Sequence, residues 1–248
     1  MVFVHNINPT ILNIGPLEIR WYGLMYVIGF LFAYLYARAA IKKGKLKITI
    51  KELDTLILYL AIALVLGARI FEIIFYAPAY YFSNPLKMIA LWEGGLSFHG
   101  GLVGVLLVGW WFAKKKKIPF LYLCDIFAVP AALGNAFGRI GNFINGELYG
   151  KITNLPWGVI FPGVKGARHP SQLYEALYNF VNFTVLFSLR NKTYKHGTLL
   201  GIFLVIYSIA RFFVEFVKDI PQVLGPLTMG QVLSIPMLAL GVWLLLRK

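Results

Sequence analysis

Three arginines and the carboxylates near them carry the chemistry this sequence could do. Arg69 and Glu72 are three residues apart, Arg211 and Glu215 four apart, and Arg139 shares the stretch GRIGNFINGELYG (138–150) with Glu147. His99 lies in FHGG, while His169 and Glu175 lie in RHPSQLYE. A charge in hydrocarbon costs about 2.5–3.5 kcal/mol on insertion scales, so an ionisable residue in an apolar run is a functional-site candidate by default. Neighbours three or four apart share one helix face, and Arg69–Glu72 is therefore expected to be a neutralised structural pair. Arg139 and Arg211 come from different apolar runs. Two guanidiniums aimed at one region suit a phosphate, which accepts planar bidentate donors, far better than they suit each other. The glycines beside Arg139 would let backbone N–H groups approach that anion. His99 has an imidazole suited to proton transfer near neutral pH.

The elements that must position these residues are membrane spans. The chain of 248 residues is 59% hydrophobic and only 14% charged, with a mean hydropathy of +0.71. One soluble core of that length could not hide so much apolar surface. A spanning helix needs roughly 20 apolar residues, and seven stretches qualify, near 21–37, 53–75, 96–113, 119–138, 172–189, 198–217 and 228–246. The start of the chain lacks a basic segment followed by an apolar core, so the first span is expected to insert and stay. The expected fold is an all-α integral membrane protein with seven transmembrane helices, forming a single domain over 1–248.

Basic residues orient it. Arg38, Lys42, Lys43, Lys45, Lys47, Lys51, Lys114 to Lys117, Arg190, Lys192, Lys195, Arg247 and Lys248 fall on one side. Only Arg20, Lys87, Lys151, Lys165, Arg168 and Lys218 fall on the other. The positive-inside rule then places the N-terminus outside and the C-terminus in the cytoplasm. With that topology Arg69, His99, Arg139, Glu147, His169, Glu175, Arg211 and Glu215 all lie in the outer half of the bilayer or at its outer face. Two outer connections stand out. Residues 141–170 are too polar to span and form a small extracytoplasmic cap. Within 76–98, Asn84 as N-cap, Pro85 at the first helical position and Gly94 as a stop predict a short interfacial helix carrying Met88, Ile89, Leu91 and Trp92. Gly100/Gly104, Gly134/Gly138 and Gly197/Gly201 are four apart, which permits close helix packing.

Several chemistries are set aside. The net charge of +14 is a topology signal plus attraction to anionic lipid. Its lysines are split among loops instead of gathered with aromatics on one face, which argues against nucleic acid. Cys124 is the only cysteine, so there is no internal disulfide or thiolate metal cage. In the apolar run LYLCDIFAV it reads as an inert thiol. His5, His99, His169 and His196 form no metal-binding pattern, and neither a metal nor a cofactor is expected. Ser97 and Ser171 each lie two residues from a histidine but lack the setting of a serine nucleophile. The last span holds no lysine for a retinal.

GRIGNFINGELYG closely resembles the signature of the bacterial prolipoprotein diacylglyceryl transferases, Gly-Arg-x-Gly/Ala-Asn-Phe-x-Asn-x-Glu-x-x-Gly, at Gly138, Arg139, Gly141, Asn142, Phe143, Asn145, Glu147 and Gly150. The resemblance extends in order through IRWYGLMY (19–26), GLSFHGG (95–101), RHPSQLYE (168–175) and RFFVEFVK (211–218). It implies an enzyme of the bacterial cytoplasmic membrane that moves the diacylglyceryl unit of phosphatidylglycerol onto the lipobox cysteine of a prolipoprotein signal peptide, releasing glycerol phosphate. It also implies activity roles for Tyr22, His99, Arg139, Asn142, Glu147, Gly150, Arg211 and Glu215. On that reading Arg139 and Arg211 anchor the phosphate, and Asn142 and Glu147 meet the headgroup. Tyr22 positions substrate, Glu215 orients Arg211, and His99 or a carboxylate takes the thiol proton. Taken alone, the arginines also fit a transporter for an anionic solute or a lipid-binding scaffold. A transporter would normally place them at the midplane of an internal repeat, and the sequence shows no repeat.

Overall fold

The computed structural model describes residues 2–15, 17–91 and 94–247. Trp92 of the expected interfacial helix and Lys248 of the basic count lie outside the described residues. The α-helices, in chain order, are α1 (Trp21–Lys42), α2 (Ile50–Phe71), a short α3 (Pro78–Ser83), α4 (Phe98–Lys115), α5 (Phe120–Ile144), α6 (Ser171–Leu189), α7 (Thr198–Val214) and α8 (Met229–Leu246). A long helix thus overlies each expected span. Five helices among the described residues are long and apolar enough to cross a membrane: α1, α2 with the π-helical turn Glu72–Tyr76 that extends it, α5, α7 with the turn to Val217, and α8. Of the other two, α4 ends in Lys114 and Lys115, and α6 buries a polar row at Gln172, Glu175, Asn179 and Asn182.

The protein is mostly helical but not wholly so. Short strands β1 (Phe3–Val4), β2 (Thr10–Ile14), β3 (Leu17–Arg20), β4 (Val159–Ile160), β5 (Gln222–Leu224) and β6 (Leu227–Thr228) occupy the connections. β1 pairs parallel with β4, and β2–β3 and β5–β6 form antiparallel hairpins. Every backbone N–H and C=O needs a partner, and connecting segments outside a helix find theirs in these ladders.

Helix starts follow local sequence. Thr49 with Glu52 and Thr228 with Gln231 form capping boxes on α2 and α8, and Ser97 accepts from Gly100 N–H at the start of α4. α7 takes its cap from elsewhere in the chain. The backbone N–H groups of Gly197 and Leu200 donate to the Asp125 carboxylate at 2.6 and 2.8 Å, which satisfies orphan donors of the first turn and accounts for that carboxylate in α5.

Contacts divide the chain into two units, Met1–Tyr36 with Cys124–Lys248, and Ala37–Leu123. In the first, Val129, Ala132, Leu186 and Leu199 form a core lined by Tyr36, Phe183, Phe187 and Phe203. In the second, α2 and α4 meet so closely that a Cβ at Gly100 or Gly104 would strike the carbonyl oxygen of Gly67 or Ala63. Arg69 is buried in this second unit, and its guanidinium is not spent on Glu72. Among the described residues its five N–H groups go to main-chain carbonyls of one loop: Nε to Met88 at 3.0 Å, Nη1 to Gly94 at 2.6 Å and Gly95 at 2.9 Å, and Nη2 to Lys87 and to Ala90 at 3.1 Å. It also lies over the Tyr81 ring. The expected Arg69–Glu72 pair is therefore replaced by a carbonyl cage, because the loop turns its unpaired oxygens inward onto the cation. That loop includes the 3₁₀ turn Pro85–Ile89, with Pro85 at its first position. Asn84 does not cap it: its amide donates to Tyr80 C=O, closing α3 instead.

Candidate functional site

The signature stretch is helical further than its glycines imply. α5 continues to Ile144, so Gly138 and Gly141 lie inside a helix and their N–H groups are committed to it. The expected glycine-rich, anion-facing turn at Arg139 does not exist, and residues 141–144 at the start of the expected cap are still helical. Gly141 serves packing: a Cβ there would stand 2.8 Å from Cδ2 of Tyr22. The real turn comes at Gly146, with φ +69°. Its N–H donates to Phe143 C=O at 2.9 Å and that of Glu147 to Asn142 C=O at 3.1 Å, the two bonds of a Schellman ending. This closure folds Glu147 back over the last helical turn, where its Oε1 accepts from Nδ2 of Asn142 at 2.8 Å and of Asn145 at 3.2 Å. Leu148 then adopts φ +59°, a sparsely allowed conformation for a bulky residue. It is held by Ser171 Oγ, which donates to Leu148 C=O at 2.9 Å, while Gln172 donates to Glu147 C=O.

Five charged side chains, from α5, α6, α7 and the turn after α7, converge beside this turn. Glu175 of α6, 1% exposed, places Oε2 2.5 Å from Arg139 Nε. Its Oε1 stands 2.6 Å from Arg211 Nη1 and 2.7 Å from Lys218 Nζ. Glu215, also buried, pairs with Arg211 Nη2 one helical turn away. Its Oε2 accepts from Thr228 Oγ1 at 2.6 Å, and Lys218 Nζ lies 3.9 Å from Oε1. Arg139 Nη1 donates to Asn142 Oδ1 at 3.3 Å, which links the cluster through one amide to Glu147. Three cations thus meet two carboxylates, leaving one positive charge in excess. The arginine side chains remain 25% and 16% exposed. Burial pulls the Lys218 ammonium below the ordinary lysine pKa, and the adjacent Glu175 carboxylate opposes that.

The structure brings together Arg139, Arg211, Glu215, Asn142 and Glu147. Tyr22 is adjacent, its ring over Gly141 and its hydroxyl 3.0 Å from that of Tyr26. Gly150 is a spacer between backbones: its N–H donates to His169 C=O at 2.8 Å, it bridges to Lys218, and a Cβ would strike Val217 C=O. His99 belongs to the second unit, exposed at the start of α4, with Nδ1 3.2 Å from Tyr76 OH. His169 is engaged by Tyr174 OH at 3.3 Å, and burial lowers its pKa.

Sequence reasoning underrated Glu175, which it set merely beside His169, and read Lys218 only as a loop cation. A signal existed: Gln172, Glu175, Asn179 and Asn182 recur at three- and four-residue spacing, a polar stripe on one face of α6.

Fold and site together define a polytopic helical membrane protein with a cation-rich cluster buried between helices. The family model for prolipoprotein diacylglyceryl transferase matches residues 9–247. The chain is 48% identical over 247 residues to phosphatidylglycerol–prolipoprotein diacylglyceryl transferase of Geobacter sulfurreducens, covering 97% of this chain and 95% of that protein. It is 45% identical over 251 residues to the protein of the same name from Rickettsia bellii, with 98% and 95% covered, and 47% identical over 248 residues to that from Bordetella parapertussis, with 97% and 95% covered. The chain belongs to the prolipoprotein diacylglyceryl transferase family.

Proposed function

We propose that the cluster of Arg139, Arg211 and Lys218 around Glu175 and Glu215 holds the phosphate of phosphatidylglycerol while this enzyme transfers the diacylglyceryl group to a prolipoprotein. The observation that carries this is the charge balance of the cluster: three cations against two carboxylates, with guanidinium donors left over. A phosphate supplies the missing anion and accepts planar N–H pairs. The acceptor is the thiol of the lipobox cysteine. Its sulfur forms a bond to the glyceryl carbon as the carbon–oxygen bond to phosphate breaks, and the electron pair leaves on that oxygen. Negative charge growing there is stabilised by the prepositioned guanidiniums. The thiol proton passes to a nearby base and leaves with the glycerol phosphate or to water. Glu147, fixed by two amide donors, and His99 are the proposed acceptors. Asn142 and Tyr22 line the headgroup, Gly150 lets the backbones at His169 and Val217 close up beside it, and Glu215 orients Arg211. No metal or cofactor enters this scheme, and no nucleic acid. A transporter reading is not favoured, since nothing in the family relationship points to one.

Residues 1–248 are read as one catalytic domain crossing the bacterial cytoplasmic membrane seven times. The N-terminus and the cap about 141–170 lie outside, the C-terminus in the cytoplasm, and the cluster opens to the outer face. A reporter fused at the C-terminus should be cytoplasmic and a tag within 151–167 accessible from outside; both on one side would refute that orientation. Incubating purified protein with phosphatidylglycerol and a lipobox peptide should yield a thioether-linked peptide and free glycerol phosphate in equal amounts. Binding of the lipid without either product would leave a scaffold and not an enzyme.

A further inference from the structure

The leaving group of the proposed reaction is a small phosphate monoester carrying a polyol. It cannot depart through hydrocarbon, where charge is costly, so it needs a polar way out next to the cluster. A cavity of about 330 Å³ lies beside Glu215, in the connection between α7 and α8. Its walls include Lys151, Glu215, Phe216, Gln222, Thr228 and Gln231. That volume is at the small end of ligand pockets and matches a headgroup without acyl chains.

The wall toward the cluster is rigid. Thr228 and Gln231 are locked in the capping box of α8, and Thr228 Oγ1 donates to the Glu215 oxygen that Arg211 does not use. Glu215 therefore belongs to both cluster and cavity, pairing with Arg211 and lining the cavity. The opposite wall carries a cation. Lys151 is exposed, its backbone N–H is tied to Val217 C=O at 2.8 Å, and its ammonium donates to Phe216 C=O at 3.0 Å. An ammonium has three N–H groups, so two remain for a ligand. Gln222, exposed on the β5–β6 hairpin, adds an amide that suits hydroxyl groups.

We infer that this cavity is a glycerol phosphate site, in which Lys151 receives the phosphate monoester as it leaves the arginine cluster and Gln222 meets its hydroxyls. The inference rests on the transferase reading above. The same chemistry is presented by the free product and by the headgroup of an intact lipid, and kinetics separate the two.

Lipidation of a lipobox peptide by the full chain is followed in phosphatidylglycerol vesicles with added glycerol phosphate, glycerol or inorganic phosphate. Glycerol phosphate should inhibit more strongly than either fragment. Lys151→Gln should raise its inhibition constant about tenfold, the scale of one charge-assisted hydrogen bond, and by clearly more than it raises KM for the lipid. Gln222→Glu, on an exposed hairpin, sets a like charge against the phosphate and should act in the same direction, so it carries the test where Lys151→Gln fails to fold. Unchanged inhibition constants would overturn the proposal, since the product would then bind at the arginines alone. A rise in KM equal to the rise in the inhibition constant would also overturn it, by giving the cavity to the lipid headgroup. Absence of lipidation by the unaltered protein would sink the transferase reading itself, and this site with it.

Discussion

Arg69 in one unit, buried, and Arg211 in the other, half-buried, are arginines near the end of an apolar helix, and both stand beside a carboxylate in sequence. Their surroundings differ in the one respect that separates scaffold from site. A guanidinium has five N–H donors. Arg69 spends all five on carbonyl oxygens between Lys87 and Gly95, so a ligand would have to break the loop to reach it. Arg211 and Arg139 are held by Glu175 and Glu215, keep part of their surface open, and share their carboxylates with Lys218. A cation satisfied by neutral carbonyls retains its charge but has no free geometry. A cation held in an under-neutralised cluster has both. Burial alone therefore does not tell the two settings apart; the carbonyl cage on one side and the local charge balance on the other do.

Five substitutions would break or sharpen that contrast. Glu175→Gln should have the largest effect, because it leaves three cations around a neutral amide. Breaking a buried ion pair costs about 3–5 kcal/mol, which thermal unfolding in detergent would read as a large drop in midpoint. A variant as stable as the parent would mean that the carboxylate does not hold the cluster. Arg139→Lys and Arg211→Lys keep the charge and lose the planar fork. Each should lower the lipidation rate by roughly 10²–10³, or about 2.7–4 kcal/mol of transition-state stabilisation. Near-normal rates from folded protein in both would remove the phosphate-anchor assignment.

Arg69→Lys tests the other side of the comparison. Lysine offers three donors where five carbonyls wait, and each buried carbonyl left unpaired costs about 1–3 kcal/mol. The expected result is reduced stability and faster proteolysis within 85–95, with KM for phosphatidylglycerol within about threefold of the parent once folded. A selective loss of lipid binding would place Arg69 in the site after all. The smallest effect is expected at Cys124, the free thiol of α5. Cys124→Ala should retain nearly full turnover; its collapse in a folded variant would call for an enzyme thiol intermediate and against direct transfer.

Much of the fold was legible because membrane insertion is a local property. Twenty apolar residues in a row must become a helix when no water is present to satisfy the backbone, and long helices do overlie each such run. The signature around Arg139 was legible too, as was the class of chemistry that intramembrane arginines carry. The details that failed were those in which glycine has two uses. The glycines beside Arg139 read as offering N–H groups to an anion, yet Gly138 and Gly141 lie inside α5, and the turn comes at Gly146, where φ is positive.

Sequence by itself determined the membrane class, the helical segments, the family signature and the presence of arginines that must find partners in an apolar setting. Only the tertiary structure decided which partners those were. Glu175, Lys218 and Arg211 are up to 43 residues apart in the chain and meet because α6, α7 and the turn after α7 pack together. The Arg69 cage is made from main-chain oxygens, which every residue possesses and no side-chain pattern reveals. Charge pairing falls off within a few ångströms in a polar setting and is strong only where water is excluded, so it depends on the final distances between side chains, and those exist only once the helices have packed.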